Sequence, residues 1–507
     1  MSNDIATTIR LHSDDNVAIA LRNLDAGESI DGGTIIAERI SKGHKIAISP
    51  IKSGDVIRRY GQVIGEAKSS IQVGSLVHTH NLGMTAHGAQ EAPENDSFVL
   101  KKTSPPKTFN GFLRPDGRAG TRNYVGLVTT VNCSGSVAKF IAQAAERSGL
   151  LDKFENVDGL VPIAHGSGCC MASSGEGFDT LLRTLSGFAQ HPNFGGVLLI
   201  GLGCEVMQLG ALVGDKKIRS DGNLRYMTIQ HEGGTTATVD KGLRELEGIL
   251  EQANKAKRTP VPISQITVGM QCGGSDGYSG ITANPALGAA SDLLVANGGT
   301  TILSETPEIY GAEHLLTARA AHPIVADKLM NRIRWWEEYC ARNGGEMDNN
   351  PTPGNKRGGL TTILEKSLGA VAKSGTAPLM DVYNYAEKIS KNGFVFMDSP
   401  GFDPCSITGQ IASGANLIIF TTGRGSVSGF KPAPSIKLAT NSEMYNRLEG
   451  DMDVNCGSII AENVSIADMG EHIFELLISV ASGQKTKSEQ LGFGDCEFVP
   501  WQLGAVM

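Results

Sequence analysis

The chain has 507 residues, a formal charge of -8 and a pI near 5.8. At roughly 150 residues per domain it exceeds one compact core and divides into two or three. A hydrophobic content of 40%, a charged content of 19% and a mean hydropathy of -0.10 describe a globular protein; an acidic balance without a long basic run excludes nucleic acid as the main partner.

The first residues, Met1 to Arg10, lack a basic stretch followed by an apolar one, and no segment approaches ~18 uninterrupted apolar residues, so neither export nor membrane insertion is expected. Nine cysteines, an odd number spread thinly, suit reduced thiols in a cytoplasmic protein better than a disulfide framework.

From residue 9 to about 82, short apolar segments such as Val17-Ala-Ile-Ala-Leu alternate with turn signals such as Asp31-Gly-Gly, which predicts a small β domain over 1–83. Within it, Val77-His-Thr-His-Asn puts His78 and His80 two residues apart. On an extended strand both would share one face, as metal ligands or a general base. Gly43-His-Lys, with Lys45, and Arg58-Arg-Tyr-Gly add cations suited to a carboxylate. Residues 84–110 are polar and proline-bearing without periodicity, and read as a linker.

Beyond the linker, apolar runs alternate with helical segments at Val137–Arg147, Phe178–Phe188, Val239–Ala253, Pro285–Val295 and Val325–Cys340. That alternation predicts α/β domains with parallel sheets, over 111–258 and 259–507. A turn-rich stretch from Glu346 leads into a helix over Leu360–Val371, strands follow at Gly393 and Asn416, and a last helix is expected over Met469–Ala481.

Four cysteines, Cys133, Cys169, Cys204 and Cys272, each sit just past a short apolar run and among glycines. Ligands of open α/β sheets collect outside the carboxyl ends of strands, so the four are expected to converge on a metal or redox site. A free cysteine taken alone is more often a small buried hydrophobe. Glu205 and Asp276 adjoin two of them as further metal ligands. The loop Cys272-Gly-Gly-Ser-Asp-Gly, with Ser275, and the helix start at Asn284-Pro could bind an anion. Glu305 and Glu308, in Ser304-Glu-Thr-Pro-Glu, are candidate metal ligands or acid–base groups, each taken singly being more often an ordinary helix N-terminal charge. Asn355 and Lys356 in Pro353-Gly-Asn-Lys and Arg424 in Thr422-Gly-Arg-Gly present polar and cationic groups among glycines, Arg424 as a carboxylate clamp and Lys356 as a base or charge stabiliser. The stretch from Lys437 to Glu443 is polar enough to line a site, though capping of the adjacent segment explains most of it.

Taken together, Asp15-Asn-Val-Ala, Gly43-His-Lys, Arg58-Arg-Tyr-Gly, Gly117-Arg-Ala-Gly-Thr-Arg-Asn, Gly201-Leu-Gly-Cys-Glu, Gln271-Cys-Gly-Gly-Ser-Asp, Ile281-Thr-Ala-Asn-Pro, Pro353-Gly-Asn-Lys and Thr422-Gly-Arg-Gly resemble the altronate/galactarate dehydratase family, which also includes sulfolactate sulfo-lyase. The resemblance implies an N-terminal β-clip domain of the SAF type, a linker, a middle dimerising region and a C-terminal Rossmann-like domain, as a homodimer. It also implies elimination of water from a hydroxy acid of the altronate type to a 2-keto-3-deoxy acid, supported by Fe2+ or Mn2+. A thiolate-held iron–sulfur cluster is the alternative cofactor. A galactarate-type substrate, sulfite as leaving group, and a non-catalytic sugar-acid sensor are the alternative functions.

Overall fold

The computed structural model describes residues 6–30, 32–85, 107–214, 219 and 221–504, and most of the expected linker falls outside them. The chain is a mixed α/β protein: two small antiparallel sheets at the N-terminus, two parallel sheets covered by helices, and a third antiparallel sheet in which Thr108–Leu113 pairs with Ala119–Gly120 and Thr259–Pro262. Among the described residues no helix is long and apolar enough to cross a membrane.

In the N-terminal domain, Val17–Ala20 pairs with Thr8–Ile9 and Lys45–Ala47, and Val56–Arg59 forms a hairpin with Gln62–Ala67. One face of these strands closes a small core of its own from Ala20, Leu24, Ile30, Ile36, Ile40 and Ile46. Val17, Ile57 and Ile64 instead join one apolar cluster with Ala283, Leu368 and Val371 of the C-terminal region. The strand Leu76–Val77 ends before the histidines, and residues 78–80 lie in a bend and turn. The expected shared strand face therefore does not form: His78 is half-buried, whereas His80 is exposed.

The middle region carries a four-stranded parallel sheet in the order Gly159–Ile163, Tyr124–Thr129, Phe194–Gly201, Leu224–Thr228. All eight residues of Phe194–Gly201 are buried, as a central parallel strand covered on both faces requires. The chain leaves Tyr124–Thr129 towards one side of the sheet and later continues to the other, so the order reverses beside Phe194–Gly201. The C-terminal region repeats the device with seven parallel strands, Thr267–Cys272 and Leu417–Thr422 being the adjacent pair at which the chain passes from one side of the sheet to the other. Such reversals open a crevice at the carboxyl edge.

The N-terminal domain sits over the carboxyl edge of the seven-stranded sheet, held by a buried carboxylate. Glu365 belongs to the helix Ile363–Val371, whose nine residues are all buried. Its oxygens accept from Lys45 Nζ at 2.8 and 2.9 Å and from the Arg59 guanidinium at 2.5 Å, while Thr361 donates through its backbone and hydroxyl. The third Lys45 bond goes to the Gly359 carbonyl, so this ammonium, expected from the sequence to bind substrate, is fully occupied as a clamp. Glycines make the contact close: a Cβ on Gly277 would lie 2.1 Å from the Gly43 carbonyl, and one on Gly359 would lie 2.4 Å from it.

Burial alone would push the Glu365 carboxyl up, but Lys45 and Arg59 outweigh it and bring it down to about 2. The unfolded chain titrates near ~4.3, so the stability this group confers is complete above that pH and is lost as pH falls through about 2. Lys45→Met should lower unfolding free energy in urea by about 3–5 kcal/mol at pH 7. The deficit should shrink as the pH is taken from 5 towards 3; a deficit independent of pH would contradict the clamp.

Candidate active site

Two adjoining features occupy the carboxyl edge of the seven-stranded sheet. The first is a cleft of about 150 Å³ beside the Leu417–Thr422 strand end, lined by Lys42, Arg357, Arg424 and Arg447 together with Asp276 and Glu443. Arg424 is exposed there, as its Gly-rich loop suggests. Asp276 forms part of the wall but is not a free ligand: its carboxylate accepts from the Thr440 and Ser279 hydroxyls, the Tyr278 and Ser279 amides and Asn441 Nδ2. A Cβ on Gly423 would lie 2.2 Å from that carboxyl carbon, so glycine is required for the loops to close.

The second feature is a buried charge cluster. Cys272 ends its strand, and Glu305 and Glu308 follow the neighbouring strand Thr300–Leu303; one ligand atom from each lies within 4.8 Å of the others, the single such His/Cys/Asp/Glu group among the described residues. Lys373 Nζ contacts Cys272 Sγ at 2.8 Å and stands 3.9 Å from Glu305, and Lys366 pairs with Glu308 at 2.7 Å and with Asn350. Burial pushes the Cys272 thiol up to about 12. Burial, reinforced by Glu308, raises Glu305 well above the ordinary carboxylate range, while Lys366 and Lys373 overcome burial at Glu308 and lower it. Asp403, at the start of the helix Asp403–Ser413, is raised by burial and Glu308 to about 6.

Glu305 is held under strain. It is fully buried, its φ is +72°, and neither carboxylate oxygen has a hydrogen-bond partner. A non-glycine residue in this region costs on the order of 1–3 kcal/mol and clusters at functional sites. Two carboxyl oxygens without a hydrogen-bond partner, beside a thiol and a second carboxylate, fit a divalent cation.

A smaller cavity of about 10 Å³ connects the two features: Cys272, Ser275, Asn284 and Lys366 line it, and it shares Asp276 with the cleft. Asn284 is tied to the Gly369 carbonyl and the Thr421 hydroxyl, and Asn355 caps its own short helix while donating to the Ser275 carbonyl at 2.9 Å. Both build the walls. Lys356 contributes its carbonyl, which accepts from His78 Nε2 at 2.9 Å; the second His78 nitrogen faces Thr79, and the ring stacks on His44 at 5.4 Å. Burial lowers the pKa of both imidazoles.

The four cysteines do not converge. Cys272 is buried in the seven-stranded sheet's cluster, whereas Cys133, Cys169 and Cys204 are exposed at the carboxyl edge of the middle sheet. The sequence pattern was common to both because both are parallel sheets with glycine-rich strand ends; which sheet each strand joins is a long-range choice. Glu205, expected as a metal ligand, is consumed locally by the Thr130 hydroxyl and the Leu202 and Gly203 amides. Lys366, Lys373 and Asp403 were missed. Their signal was charge inside an otherwise apolar helix and at a helix start beside proline. The polar stretch from Lys437 divides: Lys437 lies in the wholly buried strand Ser435–Ala439, Asn441 caps the helix Ser442–Arg447, and Asn441 and Glu443 line the cleft.

Ionisable groups at the strand ends of a parallel sheet, beside a cationic cleft, define an α/β enzyme with its site at a topological reversal. Three family models cover nearly the whole chain: the altronate/galactarate dehydratase SAF domain at 6–85, the D-galactarate dehydratase/altronate hydrolase second domain at 111–254, and the D-galactarate/altronate dehydratase C-terminal domain at 263–506. An altronate dehydratase of Bacillus subtilis is 36% identical over 96% of this chain and 97% of its own. The L-threo-forming galactarate dehydratase of Escherichia coli is 37% identical over 96% and 94%, and a (2R)-sulfolactate sulfo-lyase beta subunit of Chromohalobacter salexigens 31% identical over 76% and 95%. The chain belongs to the galactarate/altronate dehydratase family and is a hydro-lyase.

Lys373 is the cation nearest both Cys272 and Glu305. Lys373→Met should therefore lower unfolding free energy by about 3–5 kcal/mol at neutral pH, because it strips a buried carboxylate cluster of a counter-charge. Urea titration checks this, and an unchanged midpoint would show that the cluster is neutral without it.

Proposed function

We propose that the chain removes water across C2 and C3 of a six-carbon sugar acid of the altronate type, leaving a 2-keto-3-deoxy acid. The observation carrying this reading is the pairing, at one sheet edge, of a cation-lined cleft with a buried cluster able to exchange protons. In the cleft, Arg424 offers a forked guanidinium to the substrate carboxylate, and Lys42, Arg357 and Arg447 add positive potential. Asp276 and the small cavity behind it mark the direction from carboxylate anchor to reacting carbons.

The C2 proton is weakly acidic and hydroxide leaves poorly, so the site must stabilise negative charge as it develops. Lys366 and Lys373 supply that charge from a dry, preorganised position. Asp403, titrating at about 6, is ionised at neutral pH and accepts the C2 proton. Cys272, Glu305 and Glu308 would hold a divalent cation, carboxylates suiting Mn2+ or Fe2+ and sulfur favouring iron. Such an ion supplies Lewis-acid polarisation of a substrate oxygen. His78 positions the loop bearing Lys356 through its carbonyl bond. All nine cysteines are free, which suits a reducing, cytoplasmic setting.

A galactarate-type substrate is the second reading. The four cations of the cleft outnumber Asp276 and Glu443, enough for an acid with two carboxylates.

A panel of hexonates, hexarates and sulfolactate, assayed for 2-keto acid under anaerobic conditions with Mn2+ or Fe2+, tests the reading. Turnover should be greatest with a six-carbon acid, and Arg424→Ala should raise KM roughly 10–100-fold, as loss of a charge-assisted bond worth ~1.5–3 kcal/mol implies. Sulfite release exceeding water elimination, or binding without turnover, would overturn it. The kcat profile should rise with pH through about 6 and lose that limb in Asp403→Asn. In a thermal scan, Mn2+ should raise the midpoint of the parent chain and leave that of Glu305→Gln unmoved.

A further inference from the structure

The middle sheet has chemistry of its own that the dehydration site does not use. Cys133 follows the strand Tyr124–Thr129, Cys169 follows Gly159–Ile163 and Cys204 follows Phe194–Gly201, three adjacent parallel strands that include the point where the strand order reverses. All three thiols are exposed. Their loops are laced together: the Asn132 amide donates to the Ser167 carbonyl at 3.1 Å, and the Val206 and Met207 amides both donate to the Gly168 carbonyl at 3.1 Å. The Thr130 hydroxyl donates to Glu205 at 2.6 Å. Gly168 allows this approach, since a Cβ there would lie 2.1 Å from the Thr130 carbonyl.

Two further features point to a ligand on these thiols. Cys133 lies in the first turn of the helix Asn132–Arg147, whose N-terminus has no side-chain cap and whose dipole favours a negatively charged ligand there. Beside Cys169, Cys170 is held at φ +50°, a strained conformation for a side-chain-bearing residue, and the two sulfurs are 3.7 Å apart.

The spacing selects the kind of ligand. A single ion with metal–sulfur bonds of about 2.3 Å keeps its ligands within about 4.6 Å of one another. Among the described residues, Cys272–Glu305–Glu308 is the single group that compact, so the three exposed sulfurs do not all lie within that reach of one another. An iron–sulfur cluster binds each thiolate to a different iron and tolerates the wider spacing. With Glu205 consumed by its own loop, a cubane would keep one iron without a protein thiolate, open to an oxygen ligand.

We infer that Cys133, Cys169 and Cys204 bind a four-iron, four-sulfide cluster at the reversal point of the middle sheet, separate from the buried Cys272 cluster. The inference does not rest on the dehydration reading, because cluster assembly is read without turnover. The full chain, purified anaerobically, is supplied with ferrous iron, sulfide and a thiol reductant. The parent should take up about four irons and about four sulfides per chain and gain the broad visible absorption of a cluster. Cys133→Ser, Cys169→Ser and Cys204→Ser should each lose that absorption while keeping the circular dichroism and thermal midpoint that the parent shows before cluster assembly, as substitutions at exposed positions do. Cys272→Ser and Cys170→Ser should retain it. Iron uptake without matching sulfide, absorption surviving in any of the three variants, or its loss in Cys272→Ser would overturn the assignment.

Discussion

The Glu365 carboxylate, buried between two domains and answered by Lys45 and Arg59, is the constraint on which the rest depends. An ion pair buried this completely is costly to assemble, and breaking it would strand a charge. It is kept because it fixes geometry: it ties a small β domain, whose own core is only a handful of residues, to the carboxyl edge of a large sheet. The glycine contacts between Gly43, Gly277 and Gly359 let the two surfaces come close enough for both cations to reach one carboxylate.

That docking shapes the catalytic edge. With the N-terminal domain in place, Lys42 joins the cationic cleft, and Tyr60 and Glu365 wall the cavity leading to Cys272. Behind them the protein concentrates charge where water is absent. Glu305, Glu308 and Asp403 face Lys366 and Lys373, and imperfect compensation leaves Glu305 and Asp403 with raised proton affinity while Glu308 stays ionised. Neighbouring carboxylates driven apart in this way can take different roles, one binding and another transferring a proton. The left-handed backbone at Glu305 belongs to the same economy of strain, since the surrounding packing holds its carboxylate where no amide or hydroxyl reaches it.

The two parallel sheets use the same topological device for different materials. In the middle sheet the reversal point displays exposed thiols, and in the C-terminal sheet it displays buried carboxylates and lysines. A run of apolar residues ending in glycine and cysteine signals a strand end equally well in either sheet, which is why four cysteines looked like one constellation and proved to be three and one. Local patterns elsewhere were more reliable. Helices expected over Phe178–Phe188 and Val325–Cys340 are present as Glu176–Ala189 and Pro323–Arg342, because amphipathic periodicity is a short-range property. The strand Ser435–Ala439 was hidden because the polar residues from Lys437 to Glu443 point to a site lining or a cap, and only the neighbouring strands show that Lys437 is buried.

Sequence by itself determined the α/β class, the family motifs and the residue types from which a site could be made, since each is written in contiguous spacing of apolar, glycine and polar residues. Tertiary structure alone decided which of those residues meet. It turned Lys45 from a substrate anchor into half of a clamp, set His78 and His80 in different surroundings, tied Glu205 into its own loop and brought Lys373 to Cys272 across 101 positions of chain. The physical reason is that burial and pairing are long-range: a charge's role is set by the groups packed against it, and these come from strands and helices far away in the chain.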